Sequence, residues 1–125
     1  MTNIFLVGAG GFIGSVLRYL IGGYFQGFAK SFPLGTLVVN VMGCFVIGLL
    51  AQIGESRNMF SNEVRVFIFV GILGGFTTFS SFGNETINLM RGNQIINMFF
   101  NIGANVILGL LAVWLGRIVA TWIWR

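Results

Sequence analysis

The sequence predicts an all-α integral membrane protein with four transmembrane helices, and three observations carry that reading. Hydrophobic residues make up 56% of the 125 residues and charged residues only 8%. Mean hydropathy is +0.92. Four apolar runs, each as long as the 20 or so residues that cross hydrocarbon, fill the chain between short polar loops. A soluble domain is about a quarter charged, so a water-facing surface cannot be built from this composition. The length leaves room for one unit over residues 1–125 and no second domain.

The first span runs from about Ile4 to Phe25 and contains Arg18. Its start, Met1-Thr2-Asn3, lacks a basic leader and a small-residue cleavage site, so the segment is expected to stay as a helix. The second runs from about Leu34 to Ile53, with Pro33 as a helix-start signal. The third covers about Val66 to Asn84, uncharged between Arg65 and Glu85. The fourth covers about Gly92 to Gly116, between Arg91 and Arg117. Loops are expected over 26–33, 54–65 and 85–91. Lipid offers backbone groups no water, so these spans should be helices, and no segment alternates as a β-barrel strand does.

The third span carries a weak point. Leu73-Gly74-Gly75-Phe76-Thr77-Thr78 sets two poor helix formers before two β-branched residues. It reads either as a break in the helix or as a glycine packing notch. Open backbone at membrane depth is tolerated only where it is buried in protein or lines a cavity. Carbonyls freed there are natural ligands for a hard cation.

Charge narrows the classes further. The cations are Arg18, Lys30, Arg57, Arg65, Arg91, Arg117 and Arg125, and the acids are Glu55, Glu63 and Glu85. They are scattered and form no basic patch, which excludes a nucleic-acid surface. Four spans place both termini and the second loop on one side, with Arg57, Arg65, Arg117 and Arg125. Lys30 and Arg91 lie on the other, with Arg18 if it snorkels that way. Lys/Arg bias sets orientation, and here it is small. Such a chain can take one orientation with a modest bias, or insert both ways and pair as an antiparallel homodimer. Cys44, the single cysteine, reads as a packing residue.

Val7-Gly8-Ala9-Gly10-Gly11-Phe12-Ile13-Gly14 imitates a dinucleotide-binding turn. That turn needs a strand before it and an acid about 20 residues on, yet no acid precedes Glu55. Close helix packing is the physical alternative. Gly10 and Gly14 form one small-xxx-small pair, and Gly71 and Gly75 another.

Polar residues inside the spans carry the functional signal. Thr36, Asn40, Cys44 and Gly48 share one face of the second span, and Asn97, Asn101, Asn105 and Gly109 one face of the fourth. In an unbroken third helix, Thr77, Ser80, Ser81 and Asn84 share a face roughly opposite Phe76, Phe79 and Phe82. Single amides in lipid serve as interhelical glue; three aligned columns suggest a polar pathway. Arg18 is a functional candidate as an ionisable group within a span, at an aqueous vestibule or snorkelling to the interface. Glu85 reads as a helix-end residue facing water.

An enzyme is excluded on inventory, because there is no His, no Asp and one mid-membrane Cys. The alternative function is a small dual-topology multidrug or cation exporter. Such a protein wants a carboxylate near a span centre, and every Glu reads as lying at a span end or in a loop. A small scaffold subunit would leave the polar columns unexplained.

Three runs resemble one family. They are Gly11-x-x-Gly14-x-x-x-Arg18-Tyr19, Gly35-Thr36-Leu37-x-x-Asn40-x-x-Gly43 and Gly71-x-x-Gly74-Gly75-Phe76-Thr77-Thr78-Phe79-Ser80-Ser81-Phe82. In order, and over essentially the whole chain, they resemble the Fluc (CrcB-type) fluoride channels. The resemblance implies four helices with a break in the third and an antiparallel, dual-topology homodimer with two pores. It implies passive fluoride export that relieves fluoride toxicity, from a multi-pass position in the cell (inner) membrane. By position, Asn40 resembles the pore asparagine, Phe79 and Phe82 the paired pore phenylalanines, and Ser80 and Ser81 the hydroxyl track. Ser81 stands where members often have Thr. Asn101 and Asn105 fall where polar pore-side residues are expected, and Arg18 resembles the vestibule arginine. Gly74 and Thr77 resemble the residues whose backbone carbonyls hold a structural sodium ion at the dimer interface.

The resemblance suggests a mechanism. Fluoride is small and strongly hydrated, so donors must replace its water; the Asn40 amide and the Ser80 and Ser81 hydroxyls are expected to supply them. The positive ring edges of Phe79 and Phe82 would hold the anion loosely enough for release.

Overall fold

Gln26 closes the first helix and starts the second. Helix α1 is Thr2–Gln26 and helix α2 is Leu34–Arg57. Gln26 Nε2 donates to the Ala29 carbonyl at 2.7 Å and to the Phe32 carbonyl at 2.9 Å. Its Oε1 accepts from the Gly35 N–H at 3.0 Å, one of the donors that a helix start leaves without a partner. Pro33 precedes the first residue of α2, as its fixed φ favours. In this computed structural model, residues 1–124 are described; Arg125, counted above with the termini, lies outside them.

The third span, Asn62–Arg91, is assembled from pieces. Helix α3 (Asn62–Arg65) is capped by Ser61, whose Oγ accepts from the Val64 N–H at 3.4 Å. Val66–Leu73 is wound as a wider π-helix, and α4 (Gly74–Phe76) follows it. Thr77 (φ −84°, ψ 156°) and Thr78 (φ −150°, ψ 117°) are then extended. Helix α5 (Phe79–Arg91) begins with Thr78 as its cap, the Thr78 Oγ1 accepting from the Ser81 N–H at 3.2 Å. Helix α6 (Ile95–Ile123) completes the bundle. The four spans are each long and apolar enough to cross a membrane.

Several expected boundaries move. Residues 85–91 are helical, and the connection to α6 shrinks to 92–94, with Asn93 at φ 58°. Average hydropathy falls there, but Thr86 and Leu89, one turn apart, are buried. The fourth helix begins at Ile95 and continues past Gly116 to Ile123. Arg117 therefore lies within it, and forks onto Glu55 of α2 at 2.9 and 3.2 Å.

Glycine sets how closely the spans approach. A Cβ on Gly10 would stand 2.9 Å from the Gly71 Cα, and one on Gly75 would stand 2.8 Å from the Gly11 carbonyl oxygen. The two small-xxx-small pairs thus face one another, and α1 touches the third span backbone to backbone. Gly48 of α2 backs in the same way onto Val113 of α6, and Gly116 onto Phe45 and Leu49.

Candidate functional site

Extended backbone at Thr77 and Thr78 needs partners that a helix would have supplied, and α2 supplies them. Asn40 Oδ1 accepts from the Thr78 N–H at 2.9 Å. Asn40 Nδ2 donates to the Thr78 carbonyl at 3.1 Å. One side-chain amide thus satisfies both halves of a nearly buried residue. In a continuous helix the Thr78 N–H would have gone to the carbonyl of Gly74, four residues back. Diverting it leaves that carbonyl without its helical donor.

Behind Asn40 runs a chain of amides. Its Nδ2 also donates to Asn105 Oδ1 at 3.2 Å. Asn105 Nδ2 donates to the Asn101 carbonyl at 2.9 Å and to Asn101 Oδ1 at 3.0 Å. Asn101 Nδ2 donates to Thr86 Oγ1 at 3.0 Å, and Thr86 Oγ1 donates to the Phe82 carbonyl at 2.6 Å.

Two cavities flank the Thr78 residue, and it lines both. The first, about 420 Å³, is walled by Asn40, Cys44, Asn105, Phe79 and Phe82, with Gly74 and Thr77 on its backbone side. The Phe79 and Phe82 rings are 5.5 Å apart and tilted by 53°. The second cavity, about 340 Å³, is walled by Arg18, Thr36, Ser81 and Glu85. There Thr36 Oγ1 donates to Glu85 Oε1 at 2.8 Å. Glu85 Oε2 is buried without a protein partner among the described residues. Between the cavities the Thr78 hydroxyl lies 3.2 Å from Ser81 Oγ and 3.3 Å from Ser80 Oγ.

Most of the residues singled out by sequence are brought together here. Asn40, Phe79, Phe82, Asn105, Gly74 and Thr77 share the first cavity, and Arg18 and Ser81 the second. Ser80 sits on the exposed side, touching only the rim through Thr78. Asn101 lies behind the wall at 1% exposure, because its amide is enclosed by Thr86 and Asn105. Asn97 leaves the column altogether and donates to Gln94 at the start of α6.

Two expectations need correction. The faces drawn on an unbroken third helix fail at Thr77 and Thr78, whose extended backbone resets the register; Phe76 is buried while Phe79 is 83% exposed. Glu85 is not a helix-end residue facing water. It is half-buried in mid-α5 and bonded to α2. Its position four residues after Ser81 would have placed both on one face, had the helix been read past Asn84. Residue spacing alone does not single out Thr78 or Thr86, which the structure places at the cavities and at the end of the amide chain; Thr78-x-x-Ser81 is a legible cap signal.

Fold and site together define a small multi-pass membrane protein whose inward side chains line two cavities on either side of Thr78. The family model for CrcB-like protein, Camphor Resistance (CrcB), matches residues 5–117, and the chain belongs to that family. It is 43% identical over 120 residues to "Fluoride-specific ion channel FluC 3" of Methanosarcina barkeri, covering 96% of this chain and 91% of the relative. "Fluoride-specific ion channel FluC 1" of Methanosarcina acetivorans is 44% identical over 120 residues, covering 96% and 92%. "Fluoride-specific ion channel FluC" of Flavobacterium psychrophilum is 44% identical over 124 residues, covering 96% and 98%.

Proposed function

We propose that this chain is the subunit of a fluoride-selective ion channel that lets fluoride leave the cell passively and so relieves fluoride toxicity. The observation that carries this is the Thr78 residue, clamped by Asn40 between one cavity of hydroxyls and charge and another walled by phenylalanine rings. The names of the relatives point the same way.

Arg18 draws the anion into the second cavity. The Ser81 hydroxyl replaces its water, with Ser80 at the rim, while the Thr36 and Thr78 protons are already given to Glu85 and Ser81 and hold that wall in place. Phe79 and Phe82 then offer ring edges, which attract an anion weakly. That weakness lets the ion move on. Asn40 has a different part from the one its amide first suggests. Both of its N–H groups are already engaged by Thr78 and Asn105, so it holds the break and lends no donor to the ion.

The working unit is an antiparallel homodimer in the cell (inner) membrane, built from chains inserted both ways. Phe79, Ser80 and Gly74 are exposed together, a mixed surface that lipid covers poorly and a second copy covers well. There the Gly74 and Thr77 carbonyls would hold a structural sodium ion. The Gly74 carbonyl has lost its helical donor to Asn40, and an alkali cation satisfies such an oxygen. The ion supplies charge at the centre of the dimer.

Glu85 is the one observation favouring a cation exporter, since it places a carboxylate inside the bundle. It shares its cavity with Arg18 and is bonded by Thr36, surroundings that disfavour a cation. Expression in a bacterium deleted for its own fluoride export separates the two readings. Restored growth in fluoride supports the channel. Resistance to cationic dyes without fluoride resistance would support the exporter.

A further inference from the structure

The amide chain has a direction. Asn40 donates to Asn105, Asn105 to Asn101, Asn101 to Thr86, and Thr86 to the Phe82 carbonyl. Asn101 fixes the sense of the chain, because its carbonyl and its Oδ1 both accept from Asn105 Nδ2. That leaves Asn105 Oδ1 facing Asn40. Were Asn105 reversed, two NH2 groups would confront each other. Asn40 is thereby held with its oxygen towards the Thr78 N–H.

The chain also has two ends, both on one segment. It grips the third span at Thr78 and, eight residues further on, again at Thr86. Phe79 and Phe82 lie between these grips. Asn101 is 1% exposed and lines neither cavity, so it acts without meeting an ion.

We infer that Asn101 and Asn105 of α6 are positioning residues that clamp both ends of the 78–86 segment and so set where Phe79 and Phe82 stand. This deepens the channel reading, but the clamp itself is testable without any ion. Hydrogen bonds among enclosed amides reinforce one another and are costly when half-satisfied. Loss of one link should therefore be felt at the far end of the segment.

The test is amide hydrogen exchange on the purified full-length protein in detergent. Asn101→Leu keeps volume and removes both side-chain links. Amides over 78–82 should exchange roughly tenfold faster or more, while those of α2 stay near the parent rate. Thr86→Val, also outside the cavities, should act in the same direction, and Thr86→Ser, which keeps the hydroxyl, should restore protection. If Asn101→Leu fails to fold, the Thr86 pair decides alone. Unchanged exchange over 78–82, or a rise spread equally over α1 and α2, would overturn the clamp. In liposomes, fluoride efflux should fall as exchange over 78–82 rises. A parent protein that passes no fluoride would overturn the channel and leave the exchange result standing.

Discussion

The side-chain amide of Asn40 brackets Thr78, taking its N–H at 2.9 Å and meeting its carbonyl at 3.1 Å. A membrane helix can interrupt its ladder only where protein replaces the missing partners, and here a single residue of a neighbouring span does so. The cap at Thr78, the diverted Gly74 carbonyl and the facing of Phe79 all follow from that pairing.

Asn40→Ala should therefore damage stability and transport together. It strands an N–H and a carbonyl, and each unsatisfied group costs about 1–3 kcal/mol. Thermal unfolding in detergent should show the loss, and fluoride efflux should fall. Asn40→Asp keeps an acceptor for the Thr78 N–H but cannot donate, so it should fall between parent and Asn40→Ala in stability.

Phe79→Ile and Phe82→Ile keep an apolar side chain and remove the ring edge. Each should slow fluoride efflux by roughly tenfold or more while the protein still purifies as the parent does, if ring edges carry the anion. Parent rates in both variants would remove the phenylalanines from the pathway.

The glycine contacts give a test of packing without reference to transport. Gly10→Ala drives a methyl to 2.9 Å from the Gly71 Cα, and overpacking of this kind costs about 1–3 kcal/mol. Gly8→Ala, two residues away with nothing within 4 Å of the new methyl, should leave the unfolding midpoint unchanged.

The dimer and its ion are read by labelling and by salt. In a Cys44→Ser background, a cysteine at Asn58 should be modified by an impermeant maleimide from outside in about half of the chains if insertion is dual. Labelling of all or none would show one orientation. Replacing sodium with a large organic cation should weaken the dimer in cross-linking and size-exclusion experiments if the Gly74 and Thr77 carbonyls hold the ion.

Much of this arrangement is legible in the residues, and the gaps have physical causes. Hydropathy finds all four spans because lipid demands it, and spacing finds Gly10/Gly14 and Gly71/Gly75 as two close-packing pairs, although only the fold shows that they face one another. Asn40 and Phe79 are recognisable from their motifs. The ends are harder: α5 runs through a polar stretch whose buried side, Thr86 and Leu89, average hydropathy cannot see. That error placed Glu85 in water instead of beside Thr36. Spacing set Asn97, Asn101 and Asn105 in one column, but only tertiary contacts show that Asn97 turns to Gln94 while the other two reach Thr86 and Asn40.

Fluoride-selective permeation is tested most directly by anion efflux from liposomes carrying the purified protein, followed with fluoride and chloride electrodes. Neutral donors and ring edges arranged around Thr78 predict rapid fluoride efflux with negligible chloride efflux. Equal efflux of the two anions, or none of either, would contradict the account.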